Sequence, residues 1–487
     1  MLCLKTCIPI PVGLPSVFRC SWLDFTPQVE RIHLLYSDVR RMGRPRQAFS
    51  RGKPIGFSMR KWLIITLSLW VLVIAPGVIG FSQANEEIVL GVATSLGLLE
   101  GEESLKAVRL AVAEINGQGG ITVGDRKRKV RVEAADLRDA LPDTSVADAL
   151  STLESLIVEK KVTAVLVGPF RSEVLLPAMD IVAKHRVPLL GTIAMSPASE
   201  TKVMRNNNYR YVFRVCLNSR YLVAYLIDSM KLLKERFGFS KVYIMNQDVA
   251  WARTTVSLMV KLYFEKSGWE VLGIENYPGG STDYSSGLKK ARELGAQVIL
   301  PIFDMPEAGN LVKQWKDMQV PALVCGFMSS MMGPAAWELS KGKVAGALSV
   351  SFELGNVPAP RYPPSLAFYR AYERFHGKEI EAGHGPAPAY ESVYILAQAI
   401  ERAGSLKPEE VVSALQETDR KGVMGRIRFH RGHQVIFGKN QEQEALACVF
   451  QWTEDGRRKI VYPPSIAEGV ISLPPGFPAS SPLSTEE

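Results

Sequence analysis

Residues 87–121 read EIVLGVATSLGLLEGEESLKAVRLAVAEINGQGGI, and this stretch decides the fold class. Its opening, "EIVLGVA", is a short apolar run rich in Val and Ile, too brief for a helix and suited to a strand buried on both faces. Leu105, Val108, Val112 and Ile115 then recur at helical spacing, with Lys106, Arg109 and Glu114 on other faces. The glycines of "NGQGGI" (116–121) end that helix, as glycines past a helix terminus do. Strand, amphipathic helix and glycine stop make one βα unit.

The unit repeats. "KVRVEAAD" (129–136) precedes a helix over 144–160, "VTAVLVG" (162–168) precedes a helix over 172–185, and "VPLLG" (187–191) follows. A break near "NNNYRYVFRV" (206–215) separates this from a second series. That series runs helix 219–236, strand 241–246, helix 251–267, strand 269–277, helix 283–294, strand 296–303, helix 305–318 and strand 321–327. Parallel strands need crossover helices, so the alternation predicts an α/β protein with two doubly wound parallel-sheet lobes.

Composition narrows the function classes. The 487 residues are 47 % hydrophobic and 22 % charged, enough for two domains and inconsistent with general disorder. The net charge of +9 is concentrated at one end: residues 1–58 hold nine Lys/Arg against three Asp/Glu, and Arg60 and Lys61 follow. The remaining body is close to neutral, so no nucleic-acid partner is expected. Cys216, Cys325 and Cys448 sit in apolar runs and read as buried free thiols, while Cys3, Cys7 and Cys20 lie near the start. No C-x-x-C, G-x-x-x-x-G-K-[ST], H-E-x-x-H or G-x-S-x-G motif is present, and the six histidines form no metal-ligand pattern. No cofactor and no enzymatic activity are expected. His430 and His433 flank Gly432 and read as solvated residues of a hairpin turn.

Met59-Arg60-Lys61 opens an uncharged run from Trp62 to Gly80, followed by Ser82-Gln83-Ala84. A basic start, an apolar stretch and a small-x-small ending are the parts of a secretory signal, so residues 59–84 are expected to be cleaved after Ala84 and the protein to be periplasmic. An uncleaved membrane anchor is the alternative. Residues 1–58 show no sustained period and read as an over-long gene prediction or a disordered leader, with Met59 the expected start.

Several segments, in order, resemble the leucine/isoleucine/valine-binding family of periplasmic proteins. "GVATSLGLLEGEESLKAVRLAVAEINGQGGI" is similar to its opening strand, loop and helix, and "AVLVGPFRSEVLLPA" to its third strand and loop. "VPLLGTIAMSPASET", "STDYSSGLKKARELGAQVIL" and "APAYESVYILAQAIERAG" resemble later family segments, so the likeness covers about 87–455. It implies a type I periplasmic binding protein whose chain crosses three times between lobes that close by a hinge. Lobe one would be 85–217 with 351–437, and lobe two 218–350 with 438–470, leaving 471–487 as a tail. It further implies capture of a small carboxylate-bearing ligand (amino acid, amide or organic acid) for an ABC importer, with permease and ATPase partners and a monomeric state. A ligand-sensing subunit partnering a membrane receptor is the alternative.

Site residues follow from the same likeness. Ser172 opens the helix after strand "AVLVG" and reads alone as a plain N-cap; the resemblance makes it a carboxylate ligand at a positive helix end. Thr192, Ala194 and Ser196 lie in the loop that the family uses to hold carboxylate and amine. Trp251 falls where the family has a tyrosine wall. The family's ammonium-binding acid is missing at Phe327-Met328-Ser329, and Asp304, one strand away, either replaces it or caps the helix starting near Pro306. Arg138 and Arg171 occupy the positions of a family disulfide; Arg171 either helps bind a carboxylate or points to solvent.

Overall fold

The computed structural model describes residues 87–474 and 477, so the leader, the signal stretch and most of the tail lie outside the described residues. The first series builds β1 (Ile88–Thr94), α1 (Leu99–Gly117), a hairpin of β2 (Ile121–Val123) and β3 (Arg126–Arg128), β4 (Val130–Asp136), α2 (Val146–Lys160), β5 (Ala164–Val167), α3 (Ser172–His185), β6 (Leu189–Gly191), α4 (Ala198–Arg205) and β7 (Val212–Arg214). The second builds α5 (Ser219–Phe237), β8 (Lys241–Gln247), α6 (Ala250–Leu262), β9 (Glu270–Tyr277), α7 (Ser285–Glu293), β10 (Val298–Phe303), α8 (Gly309–Asp317), β11 (Leu323–Met328), α9 (Ala335–Ser340) and β12 (Leu348–Ser351). Then follow α10 (Pro363–His376), α11 (Pro386–Ala403), α12 (Pro408–Gln416), a hairpin of β13 (Asp419–Gly422) and β14 (Gly425–Arg428), β15 (Cys448–Trp452) and β16 (Arg458–Tyr462).

Sheet one has the order β4-β1-β5-β6-β7 and is wholly parallel. Sheet two has the order β16-β15-β12-β11-β10-β8-β9, parallel from β9 to β12 with β15 and β16 antiparallel at one edge. In each, the first strand lies between the second and third, which puts a reversal of winding between β1 and β5 and another between β8 and β10. Ligand crevices in open α/β sheets form at the carboxyl ends of strands at such reversals.

The strand period of two divides the core of sheet one. Ile88, Leu90 and Val92 of β1 join the cluster that includes α1, whereas Val89 and Ala93 face Leu153 and Leu156 of α2 and Val174, Met179 and Val182 of α3. After β12 the chain leaves sheet two, and both α10 and α11 pack on α1. It then returns to sheet two as β15 and β16. The chain therefore passes three times between the sheets: after β7, after β12 and before β15.

Four local readings change. Val212–Arg214, inside the predicted break, is a buried strand completing sheet one. The predicted helix over 251–267 stops at Leu262 and gives way to a 3-10 turn at Phe264–Lys266. The one over 305–318 starts as a 3-10 turn at Pro306–Ala308, where the proline ring suits a first-turn position. His430 and His433 do form a turn, but His433 is buried: its ring stacks on Phe213 at 4.2 Å and bonds Val212 O and Gln416. Cys216, Cys325 and Cys448 are buried free thiols, as their apolar contexts predict.

Candidate ligand-binding site

The wall from sheet one forms around the β1/β5 reversal. β5 ends in a γ-turn in which Gly168 N donates to Leu166 O at 2.8 Å, and this holds Val167 at φ +69°. Positive φ at a β-branched residue stores roughly 1–3 kcal/mol of strain, which persists only where the surroundings fix it. Here Val167 O accepts the Thr192 amide at 2.8 Å. The turn delivers the chain to α3, where Arg171 stands at the cap position and Ser172 is the first helical residue. The Ser172 hydroxyl is half-buried beside the unpaired N–H groups of the helix start and has no partner among the described residues.

Arg171 turns away from that helix end. Its guanidinium donates to Ala140 O at 2.7 Å and its amide to Asp139 Oδ2 at 2.9 Å, while Ser95 Oγ donates to Asp139 Oδ1 at 2.8 Å. Burial pushes the Asp139 carboxyl up, and the bonds from Arg171 and Ser95 oppose it. Arg138 pairs with Asp143 at 3.0 Å. A polar staple thus ties the two loops that the family resemblance would join by a disulfide.

Thr192 is fully buried with its hydroxyl unpartnered, and so are Thr94, at the end of β1, and Ser104 in α1. Ser104 lies against Gly385: a β-carbon there would stand 2.5 Å from Ser104 Oγ, 3.2 Å from Glu100 O and 3.5 Å from the Ile193 side chain. Ala194 is buried, with its carbonyl 3.8 Å from Cys216 Sγ. Ser196 holds the start of α4, its hydroxyl accepting from Ala198 N at 3.3 Å and its carbonyl accepting from Arg214 Nη1 at 2.8 Å.

The wall from sheet two forms at the β8/β10 reversal. Gln247 Oε1 accepts the amides of Asp304 and Met305 at 3.0 and 3.2 Å. Trp251 Nε1 donates to Asp304 Oδ2 at 2.7 Å, so these two predicted residues meet. Asp304 is exposed and caps nothing: Met305 holds the cap position of the turn at Pro306. Trp251 packs edge-on against Phe327 (6.1 Å), Phe327 against Phe352 (4.2 Å) and Phe352 against His384 (4.9 Å).

Two acids and a histidine join the site that sequence reasoning missed. Ser329, just after β11, donates to Glu100 Oε1 at 2.5 Å, linking the start of α1 to sheet two. Burial pushes the Glu100 carboxyl up; the Ser329 bond and the neighbouring His384 oppose this, and Asp304 adds to it. His384 is buried, bonded to Glu353 and to Ile193 O. The only trace of Glu100 in the sequence is an acidic helix start, "EGEE", which reads as solvated. Two open surface grooves, of about 540 Å³ along α6 and β9 and about 730 Å³ between α3, residues 208–211 and α12, include none of these residues. Among the described residues no three His, Cys, Asp or Glu side chains could hold a metal ion, and no helix is long and apolar enough to cross a membrane. The arrangement offers unpaired hydroxyl and amide donors at a positive helix end, which suits an anionic oxygen group.

Residues 89–456 match the profile of a family described as periplasmic binding protein. The chain is 24 % identical over 398 residues to Leu/Ile/Val-binding protein homolog 8 of Brucella abortus, covering 80 % of this chain and 93 % of the relative. Its structure is similar to the branched-chain amino acid transporter substrate binding protein LivJ of Streptococcus pneumoniae in complex with isoleucine (TM-score 0.61, 22 % identity, 78 % of this chain and 100 % of the other). It is equally similar to an ABC transporter solute binding protein from R. palustris in complex with benzoate (TM-score 0.61, 15 % identity, 77 % and 95 %).

Proposed function

The chain belongs to the periplasmic binding protein family, and from that premise we propose that it is an exported solute-binding protein that captures a small carboxylate-bearing ligand and hands it to an ABC permease and ATPase. One observation carries the ligand class: the Thr192 hydroxyl is fully buried without a partner, while its amide bonds the Val167 carbonyl, five residues before Ser172 opens α3. A buried hydroxyl without a partner costs about 1–3 kcal/mol in proteins, a penalty that a ligand oxygen would relieve. The two structural relatives named above carry isoleucine and benzoate, which share a carboxylate.

In this reading lobe one comprises 85–217 with 351–437 and lobe two 218–350 with 438–470, and the three passages between sheets form the hinge. Thr192 and Ser172 receive the carboxylate. Trp251, held by Asp304, supplies an aromatic wall. Ala194 lines the loop, while Ser196 and Arg171 hold the scaffold. Export is through the signal ending near Ala84, so mass spectrometry of native protein should find an N-terminal peptide beginning at Asn85.

The test is a thermal-shift screen of the mature chain, from residue 85, against L-isoleucine, benzoate, their amides and related organic acids. A ligand at 100 times its Kd stabilises by roughly 2.7 kcal/mol. Carboxylates should raise Tm, the matching amides should not, and Ser172→Ala should weaken whichever carboxylate scores. A screen in which no carboxylate shifts Tm overturns the reading.

A further inference from the structure

We propose that His384 is a buried imidazolium whose role is to position the loop carrying Thr192 and Ala194, and that this gives the site an alkaline limit. The geometry leaves little choice of protonation. Nδ1 lies 3.0 and 3.2 Å from the two oxygens of Glu353, and Nε2 lies 2.7 Å from Ile193 O. A carboxylate and a carbonyl only accept, so both ring nitrogens must carry hydrogen, and a ring with two N–H groups is a cation. Glu353 is held as an acceptor from its other sides too: Leu217 N (3.3 Å), Asn356 Nδ2 (3.0 Å) and Gly385 N (3.3 Å) all donate to it.

The placement makes this a positioning device. Leu217 lies on the first passage between the sheets, Glu353 on the second, and Gly385 at the start of α11, so the carboxylate gathers three segments at one point. His384 extends that hub by one bond, to the carbonyl between Thr192 and Ala194. The charged groups facing the ring are Glu353 and, from the start of α1, Glu100; Arg214 of β7 is turned onto Ser196 O and Leu217 O. Phe352 covers the ring at 4.9 Å.

Burial alone would pull His384 down; the charge and bond of Glu353 and the Ile193 carbonyl outweigh it and hold the ring above the ordinary histidine value. A group raised in the folded state contributes fully below its unfolded value, about 6.5, and loses that contribution as pH rises through the folded value. On losing a proton, one ring nitrogen turns a lone pair toward an acceptor. The Ile193 tether, to a neutral carbonyl, is the one released.

Nitrogen-detected NMR of ¹⁵N-histidine-labelled mature chain, assigned with His384→Gln, reads the ring directly. Hydrogen exchange of residues 192–196, corrected for intrinsic rates, reads the loop. Both nitrogens should be protonated at neutral pH. Loop protection should fall about tenfold, the loss of one charge-assisted bond, as the ring titrates and in His384→Gln at neutral pH, with β1 and α3 unaffected. A neutral ring at neutral pH, or loop protection indifferent to ring titration, overturns the proposal; if His384→Gln fails to fold, the wild-type titration alone decides. The link to binding rests on the carboxylate reading, but neither measurement uses a ligand: a failed screen with the expected ring and loop behaviour refutes that reading and not this one.

Discussion

Replacing Thr192 by valine exchanges a hydroxyl for a methyl group of similar size at a position that is 0 % exposed and whose Oγ1 has no partner. The backbone bond from Thr192 N to Val167 O is untouched by the change. An unpaired buried hydroxyl costs about 1–3 kcal/mol, and valine does not incur it, so the ligand-free variant should be more stable by about 1 kcal/mol or more. Binding should move the other way. A hydrogen bond to a charged group contributes about 1.5–3 kcal/mol, so the ligand found in the screen should bind roughly ten- to hundredfold more weakly. Urea unfolding measures the first quantity, provided the m-value is unchanged; titration calorimetry measures the second. A variant that is less stable without ligand would mean that the hydroxyl has a partner. An unchanged Kd would remove Thr192 from the site.

Glu103 gives a pH prediction: burial pushes its carboxyl from 4.5 to about 7, against the bonds from the Ala382 and Glu381 amides. The folded state then holds the proton more tightly than the unfolded chain, so stability falls by about 3 kcal/mol as pH climbs through that window, and Glu103→Gln should flatten this part of the urea-midpoint profile. Asp139→Asn keeps one acceptor where two donors, Ser95 Oγ and Arg171 N, converge, and should cost about 1–3 kcal/mol in urea unfolding; no change would mean the staple is dispensable. Trp251→Phe keeps the ring against Phe327 but removes the donor to exposed Asp304, so stability should stay within about 0.5 kcal/mol, and a larger loss by the same assay would show a bond shielded from solvent.

Sheet-level structure was legible because buried parallel strands and amphipathic helices carry periods that need only neighbours in sequence. "EIVLGVA" and the Leu105–Ile115 stripe stand where expected, as β1 and α1. β7 was not legible: three residues in a polar, aromatic context become a strand only because Gly191 and Leu189 of β6 offer an edge to pair with. The same asymmetry holds for the site. Ser172 and Thr192 are singled out by the family resemblance and stand just past β5 and β6, whereas Glu100 and His384 acquire meaning only from Ser329, 229 positions away, and Ile193, 191 positions away. A charged residue at a helix end reads as solvated until its distant partner is known.

The cover of sheet one also has a consequence in time. α11 packs on α1, and Tyr390 and Tyr394 both donate to Glu114 at 2.6 Å, the nearer pair being 276 positions apart. At about 5–20 residues per second, α1 leaves the ribosome roughly 14–55 s before the helix that shields it. For the later part of that interval, once Arg214 has been made, β1 to β7 are complete as sequence, yet α1 lacks its neighbour and the early half displays apolar surface. A nascent chain in this condition cannot cover its first sheet until α11 has been made. The shield of the first sheet is among the last parts of the molecule to be made.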